Sequence, residues 1–95
     1  MMRRAAILLL LALPLAGPAG QSLLPLPRAV EIVAERYHGR MIEARVVPGL
    51  DDEETSVAYE LRWLTPANDV LRIRISATDG GMLLVEGSGM IAARK

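Results

Sequence analysis

The chain has 95 residues, with 11 basic and 11 acidic side chains for a formal net charge of zero, one histidine and no cysteine. That length holds one domain at most, and the missing cysteines exclude a disulfide staple, a thiolate nucleophile, a Cys-based zinc or iron–sulfur site and lipid attachment behind a leader. Tyr37, Tyr59 and Trp63 are the whole aromatic set. Without an excess of positive charge they offer neither a base-stacking platform nor a general attraction to nucleic acid or anionic lipid.

Residues 1–19 have the three parts of a cleavable export signal in order. Met1 to Arg4 form a positive end, an apolar leucine-rich run follows from Ala5 to Ala16, and Gly17-Pro18-Ala19 satisfies the small-x-small rule for cleavage after Ala19. Cleavage after Gly20 is the weaker option, because Pro18 then occupies the third position before the cut. An uncleaved membrane anchor is the alternative, but the apolar run is shorter than the ~20 residues a span needs, and Pro14 and Pro18 interrupt its end. The residues around Arg3-Arg4 do not fit the longer twin-arginine motif, so general secretion to the periplasm or the exterior is expected. Removal of the leader leaves about 75 residues, near the lower size for a lone core. It also shifts the balance to 9 basic against 11 acidic groups, with no stable membrane anchor.

A short lead-in, residues 20–25, is followed by apolar positions Leu26, Val30, Val33 and Tyr37, spaced four, three and four apart with Ala29 and Ala34 beside them. This spacing predicts an amphipathic helix of about three turns, with Pro27 in the tolerant first turn and Gly39 as its stop. Glu31 and Glu35 fall on its solvated face. Beyond Gly39 the period changes from 3.6 to 2. Ile42, Ala44 and Val46 share one parity, as do Val57, Tyr59, Leu61 and Trp63, then Leu71, Ile73 and Ile75, then Leu83 and Val85. The fold expected is α+β, one helix packed on a four-stranded antiparallel meander. Its connections are the acidic stretch from Pro48 to Glu54, a turn at Thr65-Pro66-Ala67-Asn68-Asp69, and a three-residue hairpin at Asp79-Gly80-Gly81 with a left-handed glycine.

Charge and face together select a register. Aligning Leu64 with Val70 sets Trp63 against Leu71, Leu61 against Ile73, and Tyr59 against Ile75 inside, with Glu60 against Arg74 outside. Aligning Val46 with Tyr59 pairs Arg45 with Glu60 and Glu43 with Arg62. Closing the last hairpin at Thr78 and Met82 pairs Arg74 with Glu86, giving an outer row Arg45, Glu60, Arg74, Glu86 of alternating sign. Such exposed pairs contribute only ~0–1 kcal/mol each and are read as solubility and register control. Arg62 and Arg72 face each other in this register. Unless Glu43 satisfies both, they form the most cationic corner of the domain, a candidate contact for a partner's carboxylate or peptide; a splayed, solvated pair is the plainer reading.

The residues of this pattern resemble a PepSY domain. The resemblance is carried by Ala29-Val30-Glu31-Ile32-Val33-Ala34, Gly39-Arg40-Met41-Ile42-Glu43-Ala44, Ala58-Tyr59-Glu60-Leu61-Arg62-Trp63-Leu64, and the run from Leu71 through Asp79-Gly80-Gly81 to Leu83. It covers residues 26–87 as a PepSY-like domain and leaves 88–95 as a C-terminal tail. Pro25-Leu26-Pro27 departs from the serine or aspartate cap common in the family, and Ser76 stands where an aspartate is common before the turn. The resemblance implies a non-catalytic bacterial module that binds or inhibits peptidases or modulates other envelope proteins, with no catalytic residues to carry over.

No other motif specifies chemistry. His38 has no second histidine or cysteine to complete a metal site and reads as a surface residue at a helix end. Asp51-Asp52-Glu53-Glu54 lacks the ligand spacing and turn glycine of a calcium loop. It reads as a mobile, solvated connection, with weak binding of a divalent cation or basic partner as the alternative. Ser22, Ser56, Ser76 and Ser88 lie in no Gly-x-Ser-x-Gly elbow, and Gly80-Gly81 and Gly87-Ser88-Gly89 lack the lysine and helix of a phosphate loop. The expectation is therefore an exported protein with no enzymatic activity, cofactor or metal that acts on a protein partner of the cell envelope. A self-associating structural component of the envelope, working as a homodimer, is the second reading. A weak cation carrier using the acidic loop is the third.

Overall fold

The computed structural model describes residues 22–95, so the expected leader and its cleavage at Ala19 lie outside the described residues. The described chain runs α1 (Leu26–Ala34), β1 (Arg40–Pro48), β2 (Val57–Leu64), β3 (Val70–Ser76), β4 (Met82–Glu86) and α2 (Met90–Ala93). The strands form one antiparallel sheet in the order β1-β2-β3-β4, and with the short helices they make an α+β fold. No helix among the described residues is long and apolar enough to cross a membrane.

Pro25 and Pro27 start α1 without loss, since the first-turn N–H groups have no intrahelical partner in any case. The Pro25 carbonyl accepts from the Arg28 N–H at 2.9 Å. The helix ends at Ala34, a turn earlier than the periodicity through Tyr37 suggests, because the C-terminal segment claims the residues beyond it. Tyr37 bridges to Arg94, the His38 N–H donates to the Ala93 carbonyl at 2.8 Å, and the Lys95 N–H donates to the Arg36 carbonyl at 2.8 Å. The stretch read as a tail is thus folded back, with Ala93 buried. Gly39, at φ 125°, then swings the chain into β1; an added Cβ would sit 2.2 Å from the Leu64 carbonyl oxygen.

The core lies between α1 and the inner face of the sheet. Ala29 and Val33 from α1 meet Tyr59, Leu61, Trp63, Leu71, Ile73 and Ile75. Trp63 is fully buried, and its Nε1–H donates to the His38 carbonyl at 3.1 Å. The Tyr59 hydroxyl donates to the Leu24 carbonyl, while the Leu24 N–H donates to the Ala77 carbonyl at 2.7 Å. Leu24 is therefore tied across the sheet end.

The β1–β2 pairs Arg45–Glu60, Glu43–Arg62 and Val46–Tyr59 and every β2–β3 pair stand in the register that charge and face select. Two features differ. A bulge between Met41 and Glu43 turns Ile42 outward, leaving it 44% exposed, so that Met41 packs opposite Trp63 in its place. Val46 keeps its place opposite Tyr59 but is 61% exposed on this edge strand.

The second difference is the last hairpin, which closes at Ser76 and Gly81, where the Ser76 N–H donates to the Gly81 carbonyl at 2.8 Å. Ala77 is drawn out of the ladder: its N–H donates to the Val57 carbonyl at 3.0 Å and its carbonyl accepts from Leu24. The Ser76 hydroxyl takes the N–H groups of Thr78 and Asp79, and Gly80 adopts φ 80°. With a further bulge in β4, Glu86 falls opposite Arg72 and Leu84 opposite Arg74. The outer row is thereby corrected to Arg45, Glu60, Arg74, Leu84. Met82 and Val85, rather than Leu83 and Val85, pack on the core.

Candidate functional site

Arg62 and Arg72 do face each other across β2 and β3, about half exposed. The shifted hairpin changes what this corner is. Arg62 lies 3.9 Å from Glu43, and Arg72 lies 3.1 Å from Glu86 and 4.0 Å from Glu60. Each arginine has its own carboxylate, so the corner is a charge-balanced ladder Glu43, Arg62, Arg72, Glu86 and not a cationic spot.

Arg74 is the residue that alternation alone misses. It occupies an outer-face position, yet its side chain is only 5% exposed. Its Nε donates to Glu53 Oε2 at 2.6 Å, Nη2 to Glu53 Oε1 at 2.8 Å and to the Pro48 carbonyl at 3.1 Å, and Nη1 to Glu60 Oε1 at 2.7 Å. This bidentate clasp satisfies the buried guanidinium with charge-assisted bonds. The acidic connection between β1 and β2 is therefore pinned over the outer face. The Leu50 N–H donates to Glu53 Oε1 at 2.8 Å, and the Glu53 N–H returns to the Leu50 carbonyl at 3.0 Å. Thr55 adds a contact to the Ser76 hydroxyl at 3.2 Å. The hydrogen bonds from Arg74, then that from the Leu50 amide, hold the Glu53 carboxyl below the usual glutamate range. Glu53 in turn raises the Arg74 guanidinium.

In the sequence Glu53 is one of four consecutive acids, and nothing in the run distinguishes the one that folds back. The clasp also removes Glu53 from any cation site. Among the described residues no three of His, Asp and Glu are grouped as a metal ion requires. His38 sits beside the turn at Thr65-Pro66-Ala67, engaged through its backbone. The Ser76 hydroxyl is bound up with those of Thr55 and Thr78.

The two sheet edges differ. β1 carries Arg40, Glu43 and Arg45, a bulge and a terminal Pro48, all devices that discourage another strand from pairing. β4 reads Met-Leu-Leu-Val-Glu, four uncharged residues in succession, every one of them half-buried. It pairs with β3 alone, and among the described residues no backbone hydrogen bond outside the sheet engages Met82–Glu86. A groove of about 520 Å³ runs along this free edge on the inner side, bounded by Tyr37, Arg36, Arg94 and Lys95. A second, of about 300 Å³, lies on the outer side between Leu83-Leu84 and Leu50, Asp52 and Glu54 of the clasped loop.

An open edge with a groove on each face is the arrangement that accepts an extended segment. Backbone groups supply the pairing, and alternate side chains of the guest fall into alternate grooves. Neither groove brings together a nucleophile with a base. No protein-family model matches this chain, and neither a curated protein nor a solved structure matches it.

Proposed function

We propose that this protein is an exported, non-catalytic binding module of the PepSY type, which modulates or inhibits a peptidase or another protein of the cell envelope by receiving an extended segment of it at the free edge of β4. The leader motif ending at Ala19 supports export. The helix-then-meander order, with the residue runs that resemble PepSY domains, supports the family reading. The observation that carries the binding function is the free outer edge of Met82–Glu86, whose first four residues are uncharged, between two grooves, set against a β1 edge that is charged and bulged. In this reading the charge-balanced Arg62–Arg72 corner is a secondary contact at most.

The test uses the full chain expressed in a bacterial host. Mass measurement of the exported form should find cleavage after Ala19, and immobilised mature protein should capture a defined envelope protein whose peptidase activity changes on addition of the free module. Recovery of the module alone, as a dimer in solution, would instead favour self-association; the same open edge supports that second reading, since an unpaired strand also pairs with its own copy. Retention of the chain in the cytoplasm would refute the proposal.

A further inference from the structure

The charges that rim the two β4 grooves are of opposite sign, and this specifies what kind of segment fits. On the inner side stand Arg36, Arg94 and Lys95, none of which has a carboxylate within 4.0 Å among the described residues. The one acidic side chain on that rim, Glu35, faces Arg28 at 3.7 Å. On the outer side Glu53 is consumed by Arg74, leaving Asp52 and Glu54 around the apolar Leu50, Leu83 and Leu84. A strand laid along β4 directs successive side chains to opposite faces. Five residues, Met82–Glu86, span ~17 Å, enough to fix the face of four or five guest residues.

We infer that the β4 edge recognises an extended segment with carboxylate side chains at every second position, directed at Arg36, Arg94 and Lys95, and with basic or aliphatic residues between them, directed at Asp52, Glu54, Leu83 and Leu84. This rests on the binding-module reading and adds the chemistry of the partner. Affinity comes from backbone pairing, and selectivity comes from the period of the charge pattern in the guest and not from its net charge. A guest with the same composition but acids in a block presents half its carboxylates to Asp52 and Glu54, where like charges repel.

The probe is a capped ten-residue peptide in which every second residue is Glu and the intervening residues are Lys and Val. The control holds the same residues with the glutamates consecutive. Titration of each into the mature protein, followed by amide chemical shifts, should give at least tenfold tighter binding for the alternating peptide, weakening as salt is raised, with the largest shifts along Met82–Glu86. The double variant Arg36→Glu/Arg94→Glu should lose at least tenfold in affinity while keeping the parent's circular dichroism and melting temperature. Arg40→Gln, on the opposite edge, should change binding less than twofold.

Equal binding of the two peptides, or shifts centred on Arg62 and Arg72, would overturn the inference. So would a solution dimer that occludes β4. If neither peptide binds while the immobilised module still captures and regulates an envelope protein, the inference fails and the binding-module reading stands.

Discussion

Trp63 is the largest fully buried side chain among the described residues. It packs opposite Met41 and Leu71, and its indole N–H reaches over to the His38 carbonyl beside the Gly39 turn. Truncating a buried tryptophan to alanine costs about 3–5 kcal/mol, most of it lost burial and the cavity left behind. A domain of about 75 residues has roughly 4–11 kcal/mol of total stability, so Trp63→Ala should remove about a quarter or more of it. At ~4–8 °C per kcal/mol this is a fall in melting temperature of about 12–40 °C. Trp63→Phe keeps an aromatic ring in the site and loses the N–H donor and the second ring. It should fall between parent and Trp63→Ala, with about 0.5–1.5 kcal/mol of the loss due to the hydrogen bond. Trp63 is the sole tryptophan, so tryptophan fluorescence disappears with it, and urea unfolding followed by far-ultraviolet circular dichroism is the suitable assay. A Trp63→Ala protein that unfolds cooperatively within about 1 kcal/mol of the parent would refute this account of the core.

The clasp predicts a pH dependence. Because the folded state holds Glu53 below its ordinary value of 4.5, its stabilisation is complete above that value and is lost as pH falls through the depressed folded value. In urea unfolding the stability gap between parent and Glu53→Gln should be widest near neutrality and shrink below pH 4.5; a gap independent of pH would contradict the clasp. Arg74→Leu should lower the melting temperature more than Arg62→Leu, since the first leaves Glu53 and Glu60 facing each other without their shared cation. Gly39→Ala should cost about 1–3 kcal/mol from backbone strain alone and more from its overlap with Leu64, whereas Gly81→Ala should stay within about 0.5 kcal/mol. A double-mutant cycle on Arg72 and Glu86 should return a coupling of about 0.2–1 kcal/mol, and one on Arg74 and Glu86 essentially none; the reverse result would restore the hairpin closed at Thr78 and Met82.

How far the fold was legible depended on whether local pattern or distant partners decided each element. The period of two along β2 and β3 places Tyr59, Leu61 and Trp63 against Ile75, Ile73 and Leu71, because one slipped residue would expose the entire set. The β1–β2 charge pairs followed for the same reason. The β3–β4 hairpin was not legible, since Asp79-Gly80-Gly81 suits more than one loop length. The choice was made by Ala77, whose backbone groups bond to Val57 and Leu24 in other parts of the chain. Once that residue leaves the ladder, Glu86 moves from Arg74 to Arg72, and the cationic corner expected at Arg62 and Arg72 is neutralised. The end of α1 was set in the same way by its contacts with Ala93, Arg94 and Lys95.

By itself, then, the amino-acid sequence determined the absence of cysteine chemistry, the change from helical to strand periodicity at Gly39 and the pairing of the central strands, all of which are local or depend on a one-dimensional alternation. Only the tertiary structure decided that Glu53 and not its acidic neighbours holds Arg74, and that Ala93, Arg94 and Lys95 close over the end of α1. It also decided that β4 is the edge left open between a basic and an acidic groove. Those outcomes depend on which groups meet after the chain has folded back on itself. Residues of the same type and spacing would be equally compatible with other meetings, and burial of a single guanidinium or a single alanine amide selects among them.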